Sequence, residues 1–76
     1  MEKRLSELEL NEQATIVSIG ASELRSKLLE MGMVQNTQVS LVLRAPFNGS
    51  LAFDINGYTL SLRKDEADLV TVKPIA

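Results

Sequence analysis

The side chains able to do chemistry in this chain are carboxylates, hydroxyls and a few cations, because its 76 residues include no histidine and no cysteine. The commonest general base and the thiolate metal ligand are therefore both missing, and no disulfide can form. Serines and threonines are present, but no imidazole can activate one as a nucleophile. The carboxylates Asp65, Glu66 and Asp68, with Asp54 elsewhere, are the set that could hold a hard cation. Their spacing matches no metal loop, and Arg63 and Lys64 compete beside them, so the expectation is a solvated acidic turn and no metal site. The cations Arg44, Arg63 and Lys64 could meet a phosphate or an acidic partner from one sheet surface; isolated surface cations are the simpler reading. Gly20, Gly32, Gly49 and Gly57 stand far apart as single turns, so no glycine-rich phosphate cradle forms. No catalytic residue and no cofactor is expected, and the chain does not read as an enzyme.

A different feature stands out in Leu28–Val34, LLEMGMV. A helix here needs one apolar stripe, and Leu24, Leu28 and Met31 at i, i+4 and i+7 supply it. Leu29 lies about 100° round the helix from Leu28, and Met33 lies beyond the helix end. The surplus has two readings: a knob that docks a partner, or a small barrel that wraps the whole helix. Methionine suits an adaptable contact surface. Phe47, in the polar turn Ala45–Ser50, poses the same alternative, a contact residue or a lid folded back on the core. Leu29, Met31, Met33 and Phe47 are the candidate partner-binding residues.

The elements that must position these residues centre on Leu51–Leu62. Asn56-Gly57 separates two alternating apolar runs, and both residues tolerate the positive φ of a type I′ turn. The two-residue loop sets Ile55 opposite Tyr58, Phe53 opposite Leu60 and Leu51 opposite Leu62, all on one face. Ala14–Ile19 reads as an earlier strand. Ser22 is a good N-cap for a helix running to about Met31, and Gly32 fits its C′ position. Met33 at C″ would meet Leu28 at C3, as in a Schellman ending. Asn36 suits a left-handed turn. Gln38–Ala45 is a strand with Val39, Leu41, Leu43 and Ala45 on one face. Arg63–Asp68 reads as an uncapped helical turn, and Leu69–Lys73 as a last strand that Pro74 stops. Residues 1–13 read as an irregular lead-in whose leucines cover one end of a core. The sum is mainly β: five short antiparallel strands in a small barrel, with one short α-helix, about Ser22–Met31, between the first two.

Size and charge bound the function. The chain is one small domain without staples, which invites self-association or a larger partner. Ten acidic and eight basic residues give a net charge of −2, well mixed, which is no electrostatic footprint for nucleic acid or anionic lipid. No apolar run approaches the length of a membrane span. Glu7 and Glu9 interrupt the leucines near the start, unlike a secretory leader. The expectation is a cytoplasmic protein with its own start.

The succession Lys27–Val34, then Thr37, then Arg44–Gly49, then Tyr58, Leu60–Arg63 and Ala67 resembles the FeoA family of small proteins of ferrous iron uptake. The resemblance covers about residues 5–73. It implies an SH3-like barrel with an inserted helix, and an accessory role beside the FeoB membrane transporter, whose cytosolic part carries a GTP-binding domain. In that setting Leu29, Met31 and Met33, then Phe47, are the candidates for an exposed docking patch. The chain departs from many members at Gln35-Asn36, where Pro-Gly is frequent, and at Ser50, where Pro is frequent. The alternative is a stand-alone regulatory barrel similar to the C-terminal domain of metal-responsive repressors. A nucleic-acid barrel fits poorly with the acidic balance and with only three aromatics, Phe47, Phe53 and Tyr58.

Overall fold

The hairpin is the best-specified part of the molecule. In the computed structural model, which describes residues 1–47 and 49–75, strands β4 (Leu51–Ile55) and β5 (Tyr58–Leu62) pair with Ile55 opposite Tyr58, Phe53 opposite Leu60 and Leu51 opposite Leu62. Asn56 and Gly57 take φ of 52° and 86°, the left-handed pair that a type I′ turn demands. Leu51, Phe53, Ile55 and Leu62 are buried, Leu60 is half-buried, and Tyr58 stands at the rim.

The other strands are β1 (Lys3–Arg4), β2 (Gln13–Ile19), β3 (Gln38–Arg44) and β6 (Val70–Pro74). They form one antiparallel sheet in the order β1-β6-β2-β3-β4-β5, curled round a core of Leu5, Leu8, Ile16, Leu41, Phe53, Val70 and their neighbours. Six strands replace the five expected. The extra one is β1, where Lys3 pairs with Val72 and Arg4 with Thr71. Two residues carry no alternation, so the strand leaves no trace in the sequence pattern. The lead-in does close one end of the core: a 3-10 turn at Leu5–Glu7 buries Leu5, and Leu8 follows it inward. Leu10 stays exposed on a bridge to Leu41.

One bulge corrects the faces predicted for β3, and a second sets those of β2. In β3 the register shifts between Leu41 and Leu43, so Val42 is an extra residue opposite the Phe53–Ala52 step. Strict alternation placed Leu43 beside Leu41 in the core; the bulge turns it outward, 60 % exposed. In β2 a similar shift between Ile16 and Ser18 lets Ile16 and Ile19 both face the core, three positions apart. That spacing is invisible to a period-two reading.

The helix α1 is shorter than expected, Arg25–Glu30. Ser22 does accept the Leu24 N–H on its Oγ, at 3.2 Å, as a cap would. The first turn nevertheless closes as an i→i+3 bond from Arg25 N–H to the Ser22 carbonyl, 3.1 Å, so regular α geometry starts three residues later. The other end follows the expectation. Gly32 has φ 102°, its N–H reaches the Leu29 carbonyl at 3.1 Å, and the Met33 N–H reaches the Leu28 carbonyl at 3.0 Å. These are the two bonds of a Schellman motif. Leu28 and Met33 are both fully buried.

The turn α2 (Lys64–Ala67) is capped, against expectation. Glu66 Oε1 accepts the Arg63 N–H at 2.8 Å, reaching back three residues to a donor the helix leaves free. The same reach recurs twice in the lead-in, from Glu7 to Arg4 N–H at 2.8 Å and from Glu12 to Glu9 N–H at 2.9 Å. The last strand runs one residue later than expected, Val70–Pro74, with Pro74 opposite Ala14.

Candidate functional site: a groove between the helix and the bulged strand

The helix α1 is fixed to the barrel at three points. Arg25 Nη1 donates to the Ile19 carbonyl at 2.7 Å, which holds the first turn to the end of β2. Lys27 Nζ donates to Glu66 Oε2 at 3.0 Å, which ties the helix to α2. The Tyr58 hydroxyl donates to the Met31 carbonyl at 2.5 Å, which holds the last turn against the hairpin. Leu28 points into the core, with Leu24 and Met31 packed half-buried beside it. A helix of six residues has no stability of its own, so these contacts decide where its remaining face points.

That face carries Leu29, 39 % exposed. Between it and the bulged stretch of β2 runs a groove of about 230 Å³. Buried Ile16, Ile19 and Met33 line it with the more exposed Val17, Ser18, Leu29 and Val34, and Arg25 and Gln35 add polar groups. Val34 is 43 % exposed. Beyond Thr15, β2 no longer pairs residue by residue with β3, and the stretch from Val34 to Thr37 runs alongside instead. Two backbone bonds anchor that stretch, Ile16 N–H to the Thr37 carbonyl at 2.9 Å and Asn36 N–H to the Ile16 carbonyl at 2.8 Å. Asn36 manages this at φ 72°, the left-handed conformation its sequence suggested.

The four candidate contact residues separate. Leu29 lines the groove as an exposed wall. Met33 corrects the expectation of an exposed patch: it is 0 % exposed, because the Schellman turn that follows Gly32 folds it back under the helix. Met31 is half-buried and packs on the core. Phe47 is at a different place. It stands 98 % exposed in the β3–β4 loop at φ 58°, beside a second hollow of about 250 Å³ that it shares with Arg44, Pro46 and Lys64. It is no lid. Val34 and Val17 also line the groove and were not singled out from sequence; Val34 closed the surplus apolar string, and Val17, half-buried, lies on the face of β2 opposite to Ile16.

The polar candidates have structural work. Glu66 is 8 % exposed and takes both the Arg63 N–H and the Lys27 ammonium, so its carboxyl titrates below the usual range, the backbone bond being the larger cause. Asp68 accepts a bond from the buried Ser6 hydroxyl and another from Lys64 Nζ at 3.3 Å, and is lowered too, chiefly by Ser6. Glu12 is lowered by the Lys3 ammonium at 2.8 Å and then by the Glu9 N–H. Arg44 Nη2 donates to the Leu8 carbonyl at 2.7 Å and pins the lead-in to β3. Among the described residues no three acidic side chains converge as a metal cluster. Among the described residues no helix is long and apolar enough to cross a membrane.

Fold and groove together define an SH3-like barrel with a helix inserted after its first long strand and an apolar cleft along that helix. The sequence profile of the FeoA domain matches residues 3–74, and the chain belongs to the FeoA family. A Porphyromonas gingivalis protein, the fusion of Fe(2+) transport protein A with the Fe(2+) transporter FeoB, is 36 % identical over 74 residues. That match takes in 96 % of this chain but only 9 % of the fusion protein's length. The FeoA-like protein of Clostridium acetobutylicum superposes with a TM-score of 0.91 at 32 % identity, covering 99 % of this chain and 88 % of that one. The zinc-complexed FeoA of Stenotrophomonas maltophilia, a procaryotic SH3 domain protein, gives 0.81 at 28 %, covering 92 % and 88 %. A manganese-dependent transcriptional repressor shares the fold alone, at TM-score 0.88 and 16 % identity, over 97 % of this chain and 42 % of that one.

Proposed function

We propose that this chain is a cytoplasmic, non-catalytic accessory protein of ferrous iron uptake that docks on the cytosolic region of a FeoB-type transporter through the α1 groove. The relative in which a FeoA region and the transporter share one polypeptide carries this reading. Two parts joined in one chain are held at high effective concentration, which favours a contact between them. The groove supplies the physical means: the exposed aliphatic side chains of Leu29 and Val34 stand beside buried Ile16, Ile19 and Met33, with Ser18, Arg25 and Gln35 as polar lining, a setting suited to one apolar side chain of a partner.

Co-purification with the transporter, with and without guanine nucleotide, tests the reading. Leu29→Gln and Val34→Gln lie on exposed walls and should leave the fold intact by circular dichroism. Both are expected to lose the transporter. Unchanged complex formation by the folded double variant would remove the groove from the proposal. Failure of the wild type to co-purify would shift weight to the stand-alone regulatory barrel, which the shared fold with the repressor favours.

A further inference from the structure

The sheet has two ends, and only one is protected. At one end β1 is two residues long and both are cationic, Lys3 and Arg4. Short length and positive charge are the usual means of blunting an edge. At the other end β5 is five residues, Tyr-Thr-Leu-Ser-Leu, with no charge, no proline and no bulge. Among the described residues it pairs only with β4.

The hairpin geometry says which of its backbone groups are free. A two-residue loop makes Ile55 and Tyr58 the first hydrogen-bonded pair, and the pattern then alternates. Tyr58, Leu60 and Leu62 turn their N–H and C=O groups toward β4. Thr59 and Ser61 turn theirs outward. Both residues are exposed, and among the described residues nothing bonds to their backbone on that side.

We infer that the β5 edge joins a second copy of this chain, strand to strand and antiparallel, about a two-fold axis at Leu60. In that register Thr59 of each copy faces Ser61 of the other, and the outward N–H and C=O groups of both residues are satisfied at once. Leu60 meets its own counterpart, and the two hydroxyl side chains sit opposite each other on the solvent face, a favourable cross-strand pair. A two-fold contact requires a self-complementary surface. A strand without charge meets that requirement, since no like charges come face to face. The edge is short, so the dimer is weak and forms at high protein concentration. The inference does not depend on the transporter reading.

Sedimentation equilibrium of the full chain from micromolar to millimolar concentration tests it, with amide hydrogen exchange measured on the same samples. The expected result is a monomer–dimer equilibrium in which protection of the Thr59 and Ser61 amides rises with concentration by about tenfold or more. Ser61→Lys places a charge on the exposed face of the edge strand and is expected to give monomer with an unchanged circular dichroism spectrum. Thr59→Pro removes one outward N–H without touching the β4 ladder and should do the same; where it fails to fold, Ser61→Lys carries the test alone. A chain that stays monomeric at millimolar concentration overturns the inference. So does a dimer whose Thr59 and Ser61 amides exchange at the monomer rate, or one that Ser61→Lys leaves intact.

Discussion

Gly32→Ala should be among the most damaging single-methyl changes in this protein, and its cost can be divided. Gly32 sits at φ 102°, and a Cβ there would fall on the Tyr58 hydroxyl. The backbone share is about 1–2 kcal/mol for placing a side chain at such a φ. The hydroxyl must also move, which breaks its 2.5 Å bond to the Met31 carbonyl, a net loss of about 0.5–1.5 kcal/mol. Lower unfolded-chain entropy returns roughly 0.4–1 kcal/mol. The net loss is about 2 kcal/mol, or on the order of 8–16 °C in Tm for a domain of this size. Tyr58→Phe separates the shares. With the hydroxyl gone, the nearest atoms to the new methyl are the ring carbon that carried it, at 3.5 Å, and Ile55 Cδ1 at 4.0 Å, both ordinary contacts. Gly32→Ala should then cost about 1 kcal/mol less in the Tyr58→Phe background than in the wild type. Urea unfolding of the four proteins measures this cycle. Equal costs in both backgrounds would refute the claim that Tyr58 clamps the helix end, and a wild-type Tm for Gly32→Ala would refute the whole account.

Two further outcomes follow from named side chains. Glu66 and Asp68 have folded-state pKa values below their unfolded ones, so the unfolded chain binds more protons as pH falls, and their stabilisation is complete above about pH 5 and lost as pH drops through the lowered values. Glu66→Gln should therefore flatten the acid limb of a Tm-against-pH curve below about pH 5; an unchanged limb would show that the Arg63 N–H and Lys27 bonds do not hold this carboxylate charged. Phe47→Asn should leave stability unchanged or raise it by up to about 1 kcal/mol, because asparagine tolerates positive φ and an exposed ring contributes no burial. Thermal unfolding checks this, and a loss of about 3 kcal/mol, the scale of a truncated buried aromatic, would mean that the ring packs against the protein.

Much of this architecture was legible in the sequence where the controlling interactions are local. Asn56-Gly57 and the alternation on both sides determine the hairpin register without help from the rest of the chain. Gly32 followed by Met33 determines the helix ending, because the motif needs one residue free to take positive φ and one apolar residue after it. Asn36 determines its turn for the same reason. The family was legible too, from the order of several short matching segments. Neighbours three residues apart also contained the glutamate caps, though Arg63 and Glu66 were not read as a pair.

Tertiary structure decided the rest. A bulge is placed by how one strand must bend to close on its neighbours, so the outward turn of Leu43 and the inward spacing of Ile16 and Ile19 depend on strands distant in sequence. The same closure left Leu29 and Val34 exposed along a groove. An apolar residue in a short string carries no record of which side faces solvent; that is settled only when the barrel curls and the helix is tied down by Arg25, Lys27 and Tyr58.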